Sequence, residues 1–101
     1  MINPYKDQVI WIIGASSGIG LALARELSKR GSILVLSARR KDHLEKLKAE
    51  LDGNHKLCIL DIRDSEMTLQ TAKTIQSEFG KIDRVVFLAA NYVPMNIDLI
   101  D

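Results

Sequence analysis

The sequence is poor in several features that mark other classes of protein. Its 101 residues include one cysteine, Cys58, which can form no internal disulfide and fits a reducing compartment, where a buried thiol behaves as a small hydrophobe. The formal net charge of +1 gives no overall attraction to nucleic acid or to an anionic membrane surface. No apolar run approaches the ~18 residues of a membrane span, and residues 1–7 lack the basic-then-apolar layout of a signal peptide. We therefore expect a cytoplasmic protein that binds neither nucleic acid nor membrane.

Metal-binding and P-loop patterns are also missing. The two histidines, His43 and His55, have no partners at metal-ligand spacing, so we expect them in surface or capping roles and expect no metal. The glycine-rich turn at Gly14–Gly20 is not followed by Gly-Lys-Ser/Thr. It therefore lacks the lysine and the hydroxyl that a P-loop directs at a terminal phosphate and magnesium, which disfavours hydrolysis of ATP or GTP.

Apolar runs alternate with helical patterns along the whole chain. The runs are continuous, as in strands that helices cover on both faces, and the alternation β-α-β-α-β-α-β indicates a parallel sheet with right-handed crossovers in one domain over residues 1–101. We expect Trp11 in the core. The predicted strands span residues 9–13, 32–37, 55–60 and 83–90. The first predicted helix runs from Ser17 or Gly18 to near Arg30, and the second runs over about 41–51 with Leu44, Leu47 and Leu51 facing inward. The third runs over about 65–79 with Asp64 as N-cap and with Ala72, Ile75 and Phe79 facing inward. Ile19, Ala22, Leu23 and Leu27 are predicted on the inner face of the first helix.

The glycine-rich turn lies between the first buried strand and the first helix. This geometry presents unpaired backbone N–H groups to an anion. Gly14 permits a sharp turn, Gly18 lets a pyrophosphate approach the backbone, and Gly20 permits close packing of the helix. Ser16 and Ser17 add hydroxyl donors. A tight turn that merely needs glycines is the alternative, but the position between strand and helix favours nucleotide binding.

The spacing of the glycines is G-x-x-x-G-x-G rather than G-x-G-x-x-G. Gly14–Gly20 therefore resembles the turn of the short-chain dehydrogenase/reductase family, usually Thr-Gly-x-x-x-Gly-x-Gly, with Ile13 in place of the threonine. The resemblance implies a Rossmann-type three-layer α/β/α fold with a parallel sheet of strand order 3-2-1-4, present here as its N-terminal half. It also implies that Ile19 lies at the cofactor and that the parent reaction is hydride transfer between nicotinamide and a carbonyl or alcohol carbon.

The end of the second strand carries Arg39 and Arg40 where an NAD-binding chain would place a carboxylate. A guanidinium there can hold a 2′-phosphate by charge-assisted hydrogen bonds. In the resembled family, a small residue followed by arginine at this point is typical of NADP users, although Ser17 stands where many of them have a basic residue. We expect NADP(H) rather than NAD, with Arg39 as the main contact and Arg40 as the helper; a solvated basic patch is the alternative.

Two further strand ends match the family in part. The resemblance implies that Asp61 accepts a hydrogen bond from the adenine amino group and that Ile62 covers the ring; an ordinary turn acid is the alternative. Ala89 and Ala90 stand at the end of a usual Asn-Asn-Ala-Gly segment, where small residues would let the cofactor pass close to the backbone. The two asparagines are absent.

The family's catalytic Tyr-x-x-x-Lys does not occur in these 101 residues, since Tyr5 is followed by Val9 at that offset and Tyr92 by Asn96. In the family, the catalytic residues come from later segments. We therefore expect no catalytic residue here and interpret the chain as the NADP(H)-binding portion of a longer enzyme acting on an unknown small carbonyl or alcohol. A chain that pairs with another copy through its fourth strand is the alternative arrangement, because that strand would otherwise be an exposed edge.

Two other functions are compatible with parts of the pattern. A non-catalytic nucleotide-binding sensor or regulatory module would use the same turn. A flavodoxin-like or receiver-like signalling domain would use strand-end acids such as Asp61, but it would need an acid cluster at the end of the first strand, where Gly14 stands.

Overall fold

A computed structural model describes residues 2–14, 18–51, 53 and 55–88 of the chain. Helices and strands alternate as the sequence predicts. The fourth strand is shorter than predicted, and residues 89 and 90 of the predicted span lie outside the described residues. The elements are β1 (Val9–Ile13), α1 (Gly18–Lys29), β2 (Ile33–Ala38), α2 (Lys41–Glu50), β3 (Lys56–Ile59), α3 (Ser65–Phe79) and β4 (Arg84–Phe87).

The four strands form one parallel sheet in the order β3-β2-β1-β4, which confirms the predicted topology. The first strand of the chain is therefore an inner strand. Trp11 is in register with Val35 on one side and with Val85 on the other. All five residues of β1 are buried, because helices cover both faces of the sheet.

The sheet separates two apolar cores, and successive residues of β1 alternate between them. Ile10 and Ile12 face α1 and α2, whereas Val9, Trp11 and Ile13 belong to the core on the α3 side. Trp11 is 3% exposed, which confirms its predicted place in the core. Each fully buried Leu or Ile side chain stabilises the fold by roughly 1.5–3 kcal/mol. The first core also contains Ala24, Leu27, Leu34, Leu36, Ala38, Leu44 and Leu47, and the second contains Val35, Leu60 and Ile75.

Helix α3 follows its predicted bounds because both of its ends carry local signals. The Asp64 carboxylate accepts a hydrogen bond from the backbone N–H of Met67 at 2.9 Å, which confirms the predicted N-cap. At the other end, Gly80 adopts a left-handed conformation with φ 81° and donates its N–H to the Gln76 carbonyl. The helix therefore runs from Ser65 to Phe79.

The inner face of α1 agrees with the prediction at Leu27, which is buried, and at Leu23, which packs against the core, but not at Ile19 and Ala22. Ile19 is 72% exposed and Ala22 is also exposed, whereas Gly20, Ala24 and Leu27 are buried. The spacing i, i+4, i+7 of these buried residues is itself helical. Apolar residues surround much of this helix, so periodicity alone does not identify which face meets the sheet.

His55 is the second correction, because it is 7% exposed and not on the surface. Its Nδ1 accepts the backbone N–H of Leu34 at 3.1 Å, and its Nε2 lies 3.1 Å from the Ser28 hydroxyl. The ring is buried where β3 approaches β2, and its nitrogens find polar partners there, as buried polar groups generally do. His43, by contrast, is exposed at the start of α2, as predicted.

Candidate functional site

Gly14 ends β1 in a conformation that only glycine adopts easily, with φ 93°. A Cβ atom at this position would lie 1.8 Å from the Leu88 carbonyl oxygen. Backbone hydrogen bonds hold the two segments in place, because Gly14 donates its N–H to the Ser37 carbonyl at 2.7 Å and Leu88 donates to the Ile13 carbonyl at 2.8 Å. Gly14 therefore does more than turn the chain, since the absence of a side chain also lets the Leu88 backbone, just after the end of β4, lie close beside it.

Gly18 is the first residue of α1, and no other described part of the chain packs against the position of its absent side chain. It is exposed, and a Cβ atom there would meet no atom within 4 Å. The beginning of a helix carries a partial positive charge, and its first N–H groups have no helical carbonyl four residues earlier to which they could donate. Ile19 is exposed beside Gly18, whereas Gly20 is buried. The surface around Gly18 can thus receive an anionic group against the backbone. Four predicted site residues, Ser16, Ser17, Ala89 and Ala90, lie outside the described residues.

The two arginines after β2 differ in their surroundings. Arg40 is 3.3 Å from the Asp42 carboxylate, so its charge is partly compensated. Arg39 is exposed directly after the buried Ala38, and it makes no hydrogen bond or ion pair with the parts of the chain that the structure describes. Of the two guanidinium groups, that of Arg39 is therefore the one without a compensating carboxylate contact among the described residues, and its role as the main contact stays a prediction.

Asp61 lies beside Arg39 at the same edge of the sheet. Ala38 is in register with Ile59, and Leu60 donates its N–H to the Ala38 carbonyl at 3.0 Å, which brings the ends of β2 and β3 together. Hydrogen bonds from the side chain and backbone of Arg63, with a smaller contribution from the charge of Arg39, lower the pKa of Asp61 to about 2. Asp61 is therefore an ionised acceptor at neutral pH.

Arg63 is the residue that sequence reasoning missed. Its guanidinium donates to both carboxylate oxygens of Asp61, at 2.7 Å and 3.0 Å. The signal available in the sequence was an arginine two residues after a strand-end aspartate. Ile62 lies between them and is 40% exposed.

The carboxyl ends of the parallel strands thus bring Gly14, Arg39 and Asp61 to one edge of the sheet, the edge where open α/β sheets bind ligands. Among the described residues, no three His, Cys, Asp or Glu side chains are placed to hold a metal ion. Within the same residues, no helix has the length and apolar character required to cross a membrane.

Comparison with known proteins agrees with this geometry. Residues 8–98 match the short chain dehydrogenase family. Dehydrogenase/reductase SDR family member 7 of Mus musculus is 46% identical over 87 residues, which are 79% of this chain and 26% of the mouse protein. L-Sorbose reductase from Gluconobacter frateurii, solved with NADPH and L-sorbose, is 31% identical with a TM-score of 0.77 over 91% of this chain and 36% of the reductase. NAD⁺-bound xylitol dehydrogenase is 28% identical with a TM-score of 0.76 over 81% of this chain and 33% of the dehydrogenase.

The chain therefore spans between 26% and 36% of the length of these three proteins. The family match extends over most of the 101 residues and includes all seven helices and strands. This chain belongs to the short-chain dehydrogenase family.

Proposed function

We propose that this chain binds NADP(H) and is the cofactor-binding portion of an oxidoreductase that transfers hydride between the nicotinamide and a carbonyl or alcohol carbon. One observation carries the choice of cofactor. At the end of β2, where an NAD site would need a carboxylate, Arg39 is exposed and makes no hydrogen bond or ion pair with the described residues. A 2′-phosphate supplies the matching charge.

The described residues fit such a dinucleotide. Gly18 leaves open space where a diphosphate can approach the start of α1. Arg39 would hold the 2′-phosphate, and the ionised Asp61 would accept from the adenine amino group, with Ile62 beside the base. When bound, the nicotinamide supplies or accepts the hydride, while the residues of this chain bind and orient the adenosine end. Ser16, Ser17, Ala89 and Ala90 remain predicted contacts.

The neighbouring structures support a nicotinamide dinucleotide of either form, since the sorbose reductase was solved with NADPH and the xylitol dehydrogenase with NAD⁺. The preference for NADP(H) therefore depends on Arg39. No Tyr-x-x-x-Lys occurs in the 101 residues. We accordingly place the catalytic residues outside this chain and expect no reductase turnover from these 101 residues alone.

Equilibrium titration of the full 101-residue chain with NADPH and NADH tests the proposal. A charge-assisted hydrogen bond contributes about 1.5–3 kcal/mol, so Arg39→Ala should weaken NADPH binding roughly 10- to 100-fold. Binding of NADH should change little, because NADH has no 2′-phosphate. Arg40→Ala is the matched control, since it removes the same charge from the next residue, and its effect on NADPH should be smaller.

Two results would contradict the proposal. Equal weakening of NADPH and NADH by Arg39→Ala would show that Arg39 does not recognise the 2′-phosphate. A chain that binds neither NADPH nor adenosine 2′,5′-bisphosphate would refute the cofactor assignment altogether.

A further inference from the structure

Three N–H groups of one residue hold the Asp61 carboxylate through four hydrogen bonds, the longest of them 3.3 Å. The Arg63 side chain donates from Nε to Oδ1 at 3.0 Å and from Nη2 to Oδ2 at 2.7 Å, and the Arg63 backbone N–H donates to Oδ1 at 3.0 Å. The Asp61 side chain is 36% exposed and that of Arg63 is 76% exposed. Exposed ion pairs contribute little to stability. The bidentate arrangement instead constrains the direction in which the carboxylate points.

Within the part of the chain that the structure describes, the hydrogen bonds from Arg63 do not use every acceptor position of this carboxylate equally. An ionised carboxylate offers two positions on each oxygen. Oδ1 accepts two short hydrogen bonds from Arg63, whereas Oδ2 accepts one, besides a longer 3.3 Å contact with Nε. Because the Nε–H is shared between the two oxygens, only three N–H groups serve the four positions, and among the described residues one position on Oδ2 remains without an N–H of its own. Because Asp61 is ionised, it accepts a donor at this position and cannot donate to an acceptor.

We propose that Arg63 is a positioning residue that orients Asp61 so that its one remaining acceptor position receives the 6-amino group of adenine, which makes the site discriminate against a 6-oxopurine. This inference rests on the proposed function. A 6-oxo group is itself an acceptor, so against the ionised Oδ2 it would leave both groups without a hydrogen bond and with like partial charges opposed. Selectivity of this kind arises from the mismatched partner as much as from the matched one.

Arg63 also keeps Asp61 away from Arg39. The two arginines act on the same carboxylate, since Arg39 contributes to the lowered pKa of Asp61 but makes no ion pair with it. Without Arg63, the carboxylate would be free to turn toward Arg39 and compete with a 2′-phosphate. That competition would weaken the binding of all 2′-phosphorylated dinucleotides by the same factor. The ratio of the affinities for two dinucleotides that differ only in the base therefore reports on base recognition alone.

The test compares NADPH with the same reduced dinucleotide that has hypoxanthine in place of adenine, by equilibrium titration of the full 101-residue chain. For one hydrogen bond to a charged acceptor, the unmodified chain should prefer NADPH by about tenfold or more. Arg63→Gln should reduce this preference to within about threefold of equality, because the carboxylate is no longer oriented. Arg63→Lys should also reduce it, since an ammonium group lacks the two-pronged geometry of the guanidinium.

Arg84→Gln is the matched control. Arg84 is also exposed, and it lies at the start of β4, at the opposite edge of the parallel sheet. The same charge is removed there, and the base preference should remain at its original value. Urea unfolding of each variant confirms that the fold is retained, as expected for a residue that is 76% exposed.

The possible failures are distinguishable. If Arg63→Gln binds both dinucleotides with the original preference, the positioning role of Arg63 is wrong while the proposed function stands. If the unmodified chain binds both dinucleotides equally well, Asp61 does not read the base. If the unmodified chain binds neither, the proposed function itself is refuted.

Discussion

Substitution of Gly14 by alanine should destabilise the fold far more than substitution of Gly18, although both glycines belong to the same turn. The new methyl group at position 14 would overlap the Leu88 carbonyl oxygen, 1.8 Å away. That oxygen is backbone and cannot rotate aside. At position 18 the same methyl group would meet nothing within 4 Å.

The magnitude follows from two effects. A side chain forced to remain near φ 93° costs about 1–2 kcal/mol. Moving the Leu88 carbonyl away would break the hydrogen bond from the Leu88 N–H to Ile13, which contributes about 1 kcal/mol. Together these effects predict a loss of roughly 2–3 kcal/mol, a large part of the 5–15 kcal/mol typical of a domain. For Gly18→Ala we expect unchanged or slightly higher stability, since alanine favours the helix.

Urea unfolding followed by tryptophan fluorescence measures the difference. Trp11 is the single tryptophan, is 3% exposed and lies in β1 close to Gly14. Gly14→Ala should lower the midpoint by on the order of 1–2 M relative to the unmodified chain. A midpoint equal to that of Gly18→Ala would refute the reasoning, because it would mean that the Leu88 carbonyl does not lie close against Gly14.

Two further substitutions test polar contacts at the sheet. Ser37→Ala removes the hydroxyl that accepts a hydrogen bond from the buried indole N–H of Trp11 at 2.8 Å. This substitution should therefore lower the free energy of unfolding by about 1–3 kcal/mol. An unchanged urea midpoint, measured by circular dichroism, would contradict the role of Ser37. Asp83 accepts the Val9 N–H at 2.7 Å, and this hydrogen bond, with the neighbouring Lys81, lowers the pKa of Asp83 below 3.8. The ionised carboxylate therefore stabilises the folded chain above about pH 4, and this contribution is lost as the pH falls further. Urea unfolding at pH 5 and pH 3 should show a smaller acid-induced loss for Asp83→Asn; an identical loss would exclude the contribution of Asp83.

The sequence predicts the elements best where their signals are local. Helix α3 has its cap at Asp64 and its stop at Gly80, each acting within a few residues, and both were predictable. The inner face of α1 was not, because Ile19 and Ala22 fit a helical stripe as well as Ala24 does. The position of the sheet decides between them, and that is a tertiary effect.

The site shows the same division. The spacing of the glycines indicates an anion site, but the close approach of Leu88 to Gly14 depends on the pairing of β1 with β4, which no local pattern reveals. The ion pair of Asp61 and Arg63 is local, yet a surface arginine can extend into solvent as easily as it folds back. Its geometry becomes evident only when side-chain positions are known.

The central place of β1 has a consequence for synthesis of the chain. Residues of β1 leave the ribosome before those of the other three strands and pair with β2 soon afterwards, but their partners on the other side lie far along the chain, as the separation of 74 positions between Val9 and Asp83 shows. At about 5–20 residues per second, the ribosome needs roughly 2–10 s to pass from the end of β2 to the end of β4. During that interval the nascent chain carries an apolar strand with one open edge, a period of exposure to aggregation. The strand β1 thus gains its second neighbour only when β4 has been made, and the speed of translation sets the length of that interval.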